Sequence, residues 1–199
     1  MQGLTLVTPK TAPAVSLASV KDHLRITGTD EDTVLLGLID AAEKYAELET
    51  SRAFIERTYR LTFSGFPFGS RDPIYLPMPP LSSVSSVKYW NNADPNVLTT
   101  VSDTTYTVET DYEPGTVQPN VGEDWPTDVA DRNDAVEVVF VAGYANQSDI
   151  PAAISIAVKM IAGAFYENRE ETTTAKMGQV PEAISARRLL AGERVQRFF

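Results

Sequence analysis

Cysteine is absent from the 199-residue chain, and His23 is its only histidine. The first absence excludes disulfide frameworks, thiolate catalysis and cysteine-based zinc sites together. The second leaves a single side chain to serve any histidine-dependent nucleophile. His23 lies between Asp22 and Leu24, away from any glycine-rich turn or nucleophile elbow, so a helix-surface histidine is expected. No apolar run approaches the roughly 20 residues that span a bilayer. The first twenty residues lack a basic stretch followed by a continuous apolar core, so no signal peptide is expected. Phosphate loops and dinucleotide fingerprints are missing too: "AGYANQ" offers one glycine where a nucleotide cradle needs several. Nor does positive charge gather into a stripe. The formal net charge is −10, whereas a duplex-gripping surface needs a basic face. Acidic walls instead suit a passage through which DNA slides, because they repel phosphates.

What is present is a globular composition, 43% hydrophobic and 22% charged, over a length that suits one domain or one domain with an insertion. In "VSLASVKDHLRITG", Ser16 can cap a helix built on Leu17, Val20 and Leu24, with Gly28 as a stop. "TDEDTVLLGLIDAAEKYAELETSRAF" reads as the strongest helix. Thr29 or Asp30 caps it, and Val34, Leu35, Leu38, Ile39, Ala42, Tyr45 and Ala46 form an apolar stripe. Asp40, Glu43, Lys44, Glu47 and Glu49 are expected on its outer side.

The period changes at Phe54. "FIERTYRLTFSGF" alternates, and short strand-like runs follow as far as "AVEVVFVAGY", each bounded by Pro, Gly, Asn or Asp. Asn91, Asn92, Asp94 and Pro95 make a turn, and Trp125 is the one large apolar anchor of the acidic loop "NVGEDWPTDVADRND". Helical spacing returns in "SDIPAAISIAVKMIAGAFYENRE". Ser148 or Asp149 is its expected cap, and Ile154, Val158, Ile161 and Phe165 its inner face. Thr172 to Lys176 has no apolar face and reads as a flexible link. Beyond it, Pro181 can start a short helix containing Ile184, Leu189 and Leu190 that Gly192 ends.

The expected fold is α+β: an antiparallel pair of long helices plus short helices, a small all-β insertion and an extended C-terminal arm. Residues 1–53 form the N-terminal helical part of the core, 54–147 the β insertion, 148–171 the final long helix, and 172–199 a flexible C-terminal arm.

Chemistry is hard to place on this pattern. Asp111, Glu113, Glu123, Asp124, Asp128, Asp131 and Asp134 gather in the β loops, where a glycosidase pair or a calcium site could be sought. Their spacing does not match an EF-hand loop, and solvated acidic loops are the commoner outcome. "NQS" at Asn146 is a glycosylation acceptor pattern, idle without a secretory signal. Tyr75, Tyr89, Trp90, Tyr106, Tyr112 and Trp125 could line a sugar-binding face, but at strand spacing they are more often core or cross-strand pairs. No catalytic residue, cofactor site or metal site is expected.

The order of segments resembles the head–tail connector (adaptor) family of tailed bacteriophages, some of whose members are also described as possible DNA-packaging proteins. The matching residues are His23, Leu24 and Arg25, then Asp30, Glu31 and Asp32, and Thr50, Ser51 and Arg52 at the end of the long helix, where Ser51 stands in place of the family's glycine. "IYLPMPPLSSVSSVKYW", covering Leu76 to Trp90, and the closing "VEVVFVAGY" with "IPAAISIAVKMIAGAFYENRE", as far as Tyr166, Glu167, Asn168 and Arg169, are similar to later stretches of the family. The resemblance implies a structural virion protein and not an enzyme. It implies a homo-oligomeric ring, commonly of twelve copies, between capsid and tail. That ring docks on the portal protein, meets a downstream neck (stopper) or tail-completion protein, and carries DNA through its channel without sequence-specific binding or membrane contact. Assembly would take place in the host cytoplasm.

By the same resemblance, the C-terminal arm reaches the portal. Arg187, Arg188, Arg194 and Arg197 would pair with portal carboxylates while Leu189, Leu190, Val195, Phe198 and Phe199 fill apolar pockets, since arginine and aromatics dominate many interfaces. Lateral ring contacts would come from Glu43, Lys44, Glu47, Glu49 and Arg52. The alternative is a carbohydrate- or protein-binding β module of a virion component, using exposed Trp90 or Trp125. A hydrolase acting through Asp111 or Asp124 is the third and weakest reading.

Overall fold

The computed structural model describes residues 2–67, 69–168 and 181–195. Along the chain these form β1 (Gln2–Thr8), α1 (Leu17–Leu24), α2 (Asp32–Thr50), β2 (Arg57–Phe63), β3 (Ile74–Tyr75), β4 (Leu81–Trp90), β5 (Leu98–Thr100), β6 (Tyr106–Glu109), β7 (Thr116–Pro119), β8 (Val136–Ala142), α3 (Ala152–Glu167) and α4 (Pro181–Ala191). The class is α+β, with antiparallel sheets. The chain divides into a β unit, residues 1–11 and 56–143, and a helical unit, residues 12–55 and 144–199. Residues 2–8 therefore pair into a sheet, although the sequence pattern had placed them with the helices.

The β unit holds a five-stranded sheet in the order β1-β2-β8-β4-β5 and a three-stranded sheet in the order β3-β7-β6. Strand β8 shows the cleanest alternation: Val136, Val138, Phe140 and Ala142 are buried and the residues between them are half-covered. That period of two sends one face to the core. Registration then builds rows across the sheet, with Leu4 beside Leu61, Leu61 beside Val138, and Val138 beside Val87. Each buried aliphatic in such a row stabilises by about 1.5–3 kcal/mol, and Tyr59 stacks on Phe140 with ring centroids 5.7 Å apart. Pro77, Pro79 and Pro80 fall between β3 and β4, where no ladder bond is lost. The turn after β4 is tied by Asn91, whose Oδ1 accepts from the N–H of Val97 at 2.9 Å and of Ala93 at 3.3 Å.

In the helical unit, Ser16 caps α1 as its sequence position predicts, its Oγ accepting from the N–H of Ser19 at 3.2 Å. Helix α2 begins at Asp32, later than Thr29 or Asp30 would have set it, with Glu31 in the N-cap position. The Asp32 carboxylate lies 2.6 Å from the Lys21 ammonium. Ahead of α3, Asn146 and Asp149 cap each other's backbone around a 3-10 turn over Gln147–Asp149, and Pro151 takes the N-cap of α3. Ile154, Val158 and Ile161 are buried as the spacing predicts, but Phe165 is exposed. Its smaller neighbours Gly163 and Ala164 are buried instead. A Cβ at Gly163 would come within 2.9 Å of the Leu24 side chain, so glycine there lets α1 approach α3. The core of this unit joins Val20, Ile39, Ala42, Ala46, Phe54, Ile154, Val158 and Ile161 with Ala186 and Leu190 of α4.

Candidate functional site

The C-terminal segment is the first place to look, because the sequence had set it aside for a partner. Over its described residues it is not an extended arm. Ala186 and Leu190, four positions apart, lie on one face of α4 and are both buried in the helical core, with Leu189 packed beside them. That spacing is the physical reason for the difference: an apolar pair one turn apart makes a helix with a face to bury.

Polar contacts hold the same segment along α2. Arg187 donates from Nε to the Tyr45 hydroxyl at 2.7 Å, and its Nη2 lies 3.5 Å from the Glu49 carboxylate. Beyond α4, the Val195 N–H donates to the Thr50 carbonyl at 3.0 Å, and Arg52 donates from Nε to the Glu193 carbonyl at 2.6 Å. Thr50 ends α2, so Val195 satisfies one of the carbonyls that a helix terminus leaves open. Arg188 and Arg194 are exposed. Arg197, Phe198 and Phe199 lie outside the described residues, as does the expected link over Thr172 to Lys176.

The five residues expected to meet a neighbouring copy divide sharply. Lys44 is exposed, and Glu49 is partly exposed where it faces Arg187. Glu43 is 0% and Glu47 7% exposed, and Arg52 is buried. The sequence pattern put both glutamates on an outer polar face; the structure corrects this. Glu43 accepts through Oε2 from the Ala14 N–H at 2.9 Å, and Glu47 through Oε1 from the Phe54 N–H at 2.9 Å. Both donors sit in irregular backbone beside α2, and a buried N–H without an acceptor is costly. Two carboxylates one turn apart thus hold the segments that lead into and out of the α1–α2 region. Helical periodicity cannot register this, because the acceptors answer donors distant in sequence.

The aromatics and acids of the β unit are also placed. Trp125 is 4% exposed. Its indole N–H donates to the Asp72 carbonyl at 2.9 Å, and its ring stacks on Phe66 at 4.8 Å. Trp90 is half-buried, with the Arg132 guanidinium 4.3 Å from its ring centroid. Neither tryptophan is an open platform for a sugar. Burial, and then a hydrogen bond to Asp128, push the Tyr89 phenol above its ordinary range. Asp124 pairs with Arg71 at 3.1 Å, and Asp134 with Arg132 at 2.6 Å. The Arg132 hydrogen bond holds the Asp134 carboxyl below the usual carboxylate range. Among the described residues, no group of three His, Cys, Asp or Glu is placed to hold a metal ion. His23 is exposed on α1.

Comparison with known families gives a match over residues 14–119 to the phage gp6-like head–tail connector proteins. The chain belongs to that family. It is also similar to a chain of the neck of an empty GTA particle computed with C6 symmetry, at 28% identity and a TM-score of 0.77, covering 99% of this chain and 97% of the other. A chain from the neck of a native GTA particle computed with C12 symmetry is 25% identical, with a TM-score of 0.76 and the same coverage. A third, from the virion of a native gene transfer agent particle, is 27% identical with a TM-score of 0.73, covering 98% and 97%. No curated protein matches the chain.

Within this head–tail connector, two of the family-like stretches are fastened to each other in the helical unit. Tyr166 donates its hydroxyl proton to the Glu31 carboxylate, joining the "YENR" stretch to the acidic "DED". Ser51, which closes α2, has φ 58 and ψ 34. A left-handed residue at a helix C-terminus favours glycine, which has no Cβ to clash.

Proposed function

We propose that this head–tail connector is the structural adaptor of a virion neck. Its copies close a ring, dock on the portal protein, and continue the DNA channel to a downstream stopper or tail-completion protein, after assembly in the host cytoplasm. The observation that carries the proposal is the near-complete correspondence with neck chains: 99% of this chain aligns with 97% of a chain from a C6 neck. In this reading α2 and α3 form an antiparallel pair at the core of each subunit, and the role is mechanical, without catalysis. The net charge of −10 is consistent with DNA passing without being gripped, and does not carry the proposal.

The portal contact is assigned to the exposed arginines Arg188 and Arg194 together with residues 196–199, because Leu189 and Leu190 are used within the chain. Repeating a weak contact around a ring gives avidity without a strong single site. Native mass spectrometry of the full chain with its cognate portal tests this. Several copies should join the portal, and Arg188→Glu with Arg194→Glu should remove them while circular dichroism stays unchanged. A folded parent chain that never joins the portal refutes the docking proposal.

A further inference from the structure

Helix α2 departs from the usual surface helix, which turns charge to water and aliphatics inward, although Leu35, Ile39, Ala42 and Ala46 still face its core. Helix α2 buries Glu43 and Glu47, and turns Val34, Gly37, Ala41 and Leu48 outward, with Leu48 65% exposed. Their spacing places them with Lys44 along one stripe, roughly 20 Å long at the helical rise. Gly37 adds an independent observation. Glycine is a poorer residue than alanine in a helix interior, and a Cβ added at Gly37 meets no atom within 4 Å. Among the described residues, packing accounts for Gly163, which admits Leu24, but for neither Gly37 nor Leu48.

We infer that this stripe is the face through which one subunit meets a second copy of the chain. The inference rests on the neck-ring proposal and adds the contact that closes the ring. Two observations select another copy as the occupant. Similar chains stand in necks computed with C6 and C12 symmetry, and a cyclic ring closes through heterologous contacts, one face of each copy against a different face of the next. The second is charge. Identical chains of net charge −10 repel one another on balance, yet the exposed part of α2 carries both Asp40 and Lys44. A neighbour can therefore approach along α2 without facing a block of like charge. Gly37 and Ala41 leave room for close approach, and Val34 and Leu48 give an apolar anchor at each end.

Sedimentation velocity of the full chain tests the face, from micromolar up to about 1 mM, the effective concentration that a shared partner imposes on neighbours. The parent should self-associate. Ala41→Glu and Leu48→Glu, both at exposed positions, should keep the far-ultraviolet spectrum and thermal midpoint while weakening association roughly thirtyfold or more, as loss of an interface anchor does. Equal association by parent and variants overturns the inference and moves the lateral contact to another face. A parent that stays monomeric at about 1 mM also overturns it, and leaves the stripe to the portal or the downstream neck protein. Neither result touches the connector proposal, which fails separately if the parent does not join the portal.

Discussion

Leu190→Ala tests whether α4 is seated on the helical core in solution. Leu190 is 2% exposed and packs in the core that includes Ile154, Val158 and Ile161. The substitution removes three carbon atoms. At about 0.8 kcal/mol per buried methylene the transfer loss is roughly 2–2.5 kcal/mol, and incomplete collapse of the cavity raises it towards about 3 kcal/mol. The loss should appear first in α4 itself, because a terminal helix can detach while the rest of the unit stays folded. Native-state hydrogen exchange is therefore the direct assay: amides of α4 should exchange roughly thirtyfold to a hundredfold faster, with little change in β8. Urea unfolding gives a second readout as a lowered midpoint. Arg188→Ala, at an exposed position of the same helix, is the control and should cost less than about 0.5 kcal/mol. If Leu190→Ala leaves exchange in α4 unchanged, the helix is not held by this core. The segment would then be available to a partner over its whole length.

Gly115→Ala should destabilise the β unit by about 1–3 kcal/mol, the usual cost of overpacking, because the new Cβ would stand 2.5 Å from Leu81 Cδ2 and 3.1 Å from the Glu109 carbonyl; chemical denaturation measures it. Trp125→Phe should lose about 1 kcal/mol with the bond to the Asp72 carbonyl, and Trp125→Ala about 3–5 kcal/mol. A glycan array that binds the parent but not Trp125→Ala would reverse the conclusion that this ring is structural. For Asp134, carbon-detected NMR titration should place its midpoint below that of an ordinary aspartate, returning upward in Arg132→Ala. A carboxyl depressed in the folded state contributes stability above its unfolded pKa, and that contribution fades as pH falls through the folded value. Stability from this pair should thus be full at neutral pH and lost only in acid.

The β unit was legible where one strand carried its own pattern. The alternation from Val136 to Ala142 marks β8 without any partner, and Asn91 marks its turn because an asparagine side chain closes that loop locally. Strand β1 was not legible. Its pairing of Leu4 with Leu61 joins residues 57 positions apart, and nothing within residues 2–8 announces the partner. Cap and start signals served well at Ser16 and Pro181, where the residue acts on its own backbone. On α2 the surface and interior differ from the periodic pattern. Charge was assigned to the surface and aliphatics to the interior, so Glu43 and Glu47 were sent out and Val34 in. The deciding donors, the N–H groups of Ala14 and Phe54, lie 29 and 7 residues away and leave no periodic trace. Leu190, a candidate for a partner's pocket, fills the chain's own core in this structure.

The two buried glutamates of α2 also bear on how a genetic screen of this connector must be read. A phage carrying Glu47→Lys would fail to form tailed particles and score as defective in assembly. Its lesion would be earlier, in a chain that loses the acceptor for the Phe54 N–H and is cleared before any ring exists. Mutants at the exposed Lys44, Arg188 or Arg194 should keep soluble protein in the lysate, and only there would a missing tail bear on the proposed docking. Sorting alleles by the amount of soluble connector, before scoring particles, separates the two classes.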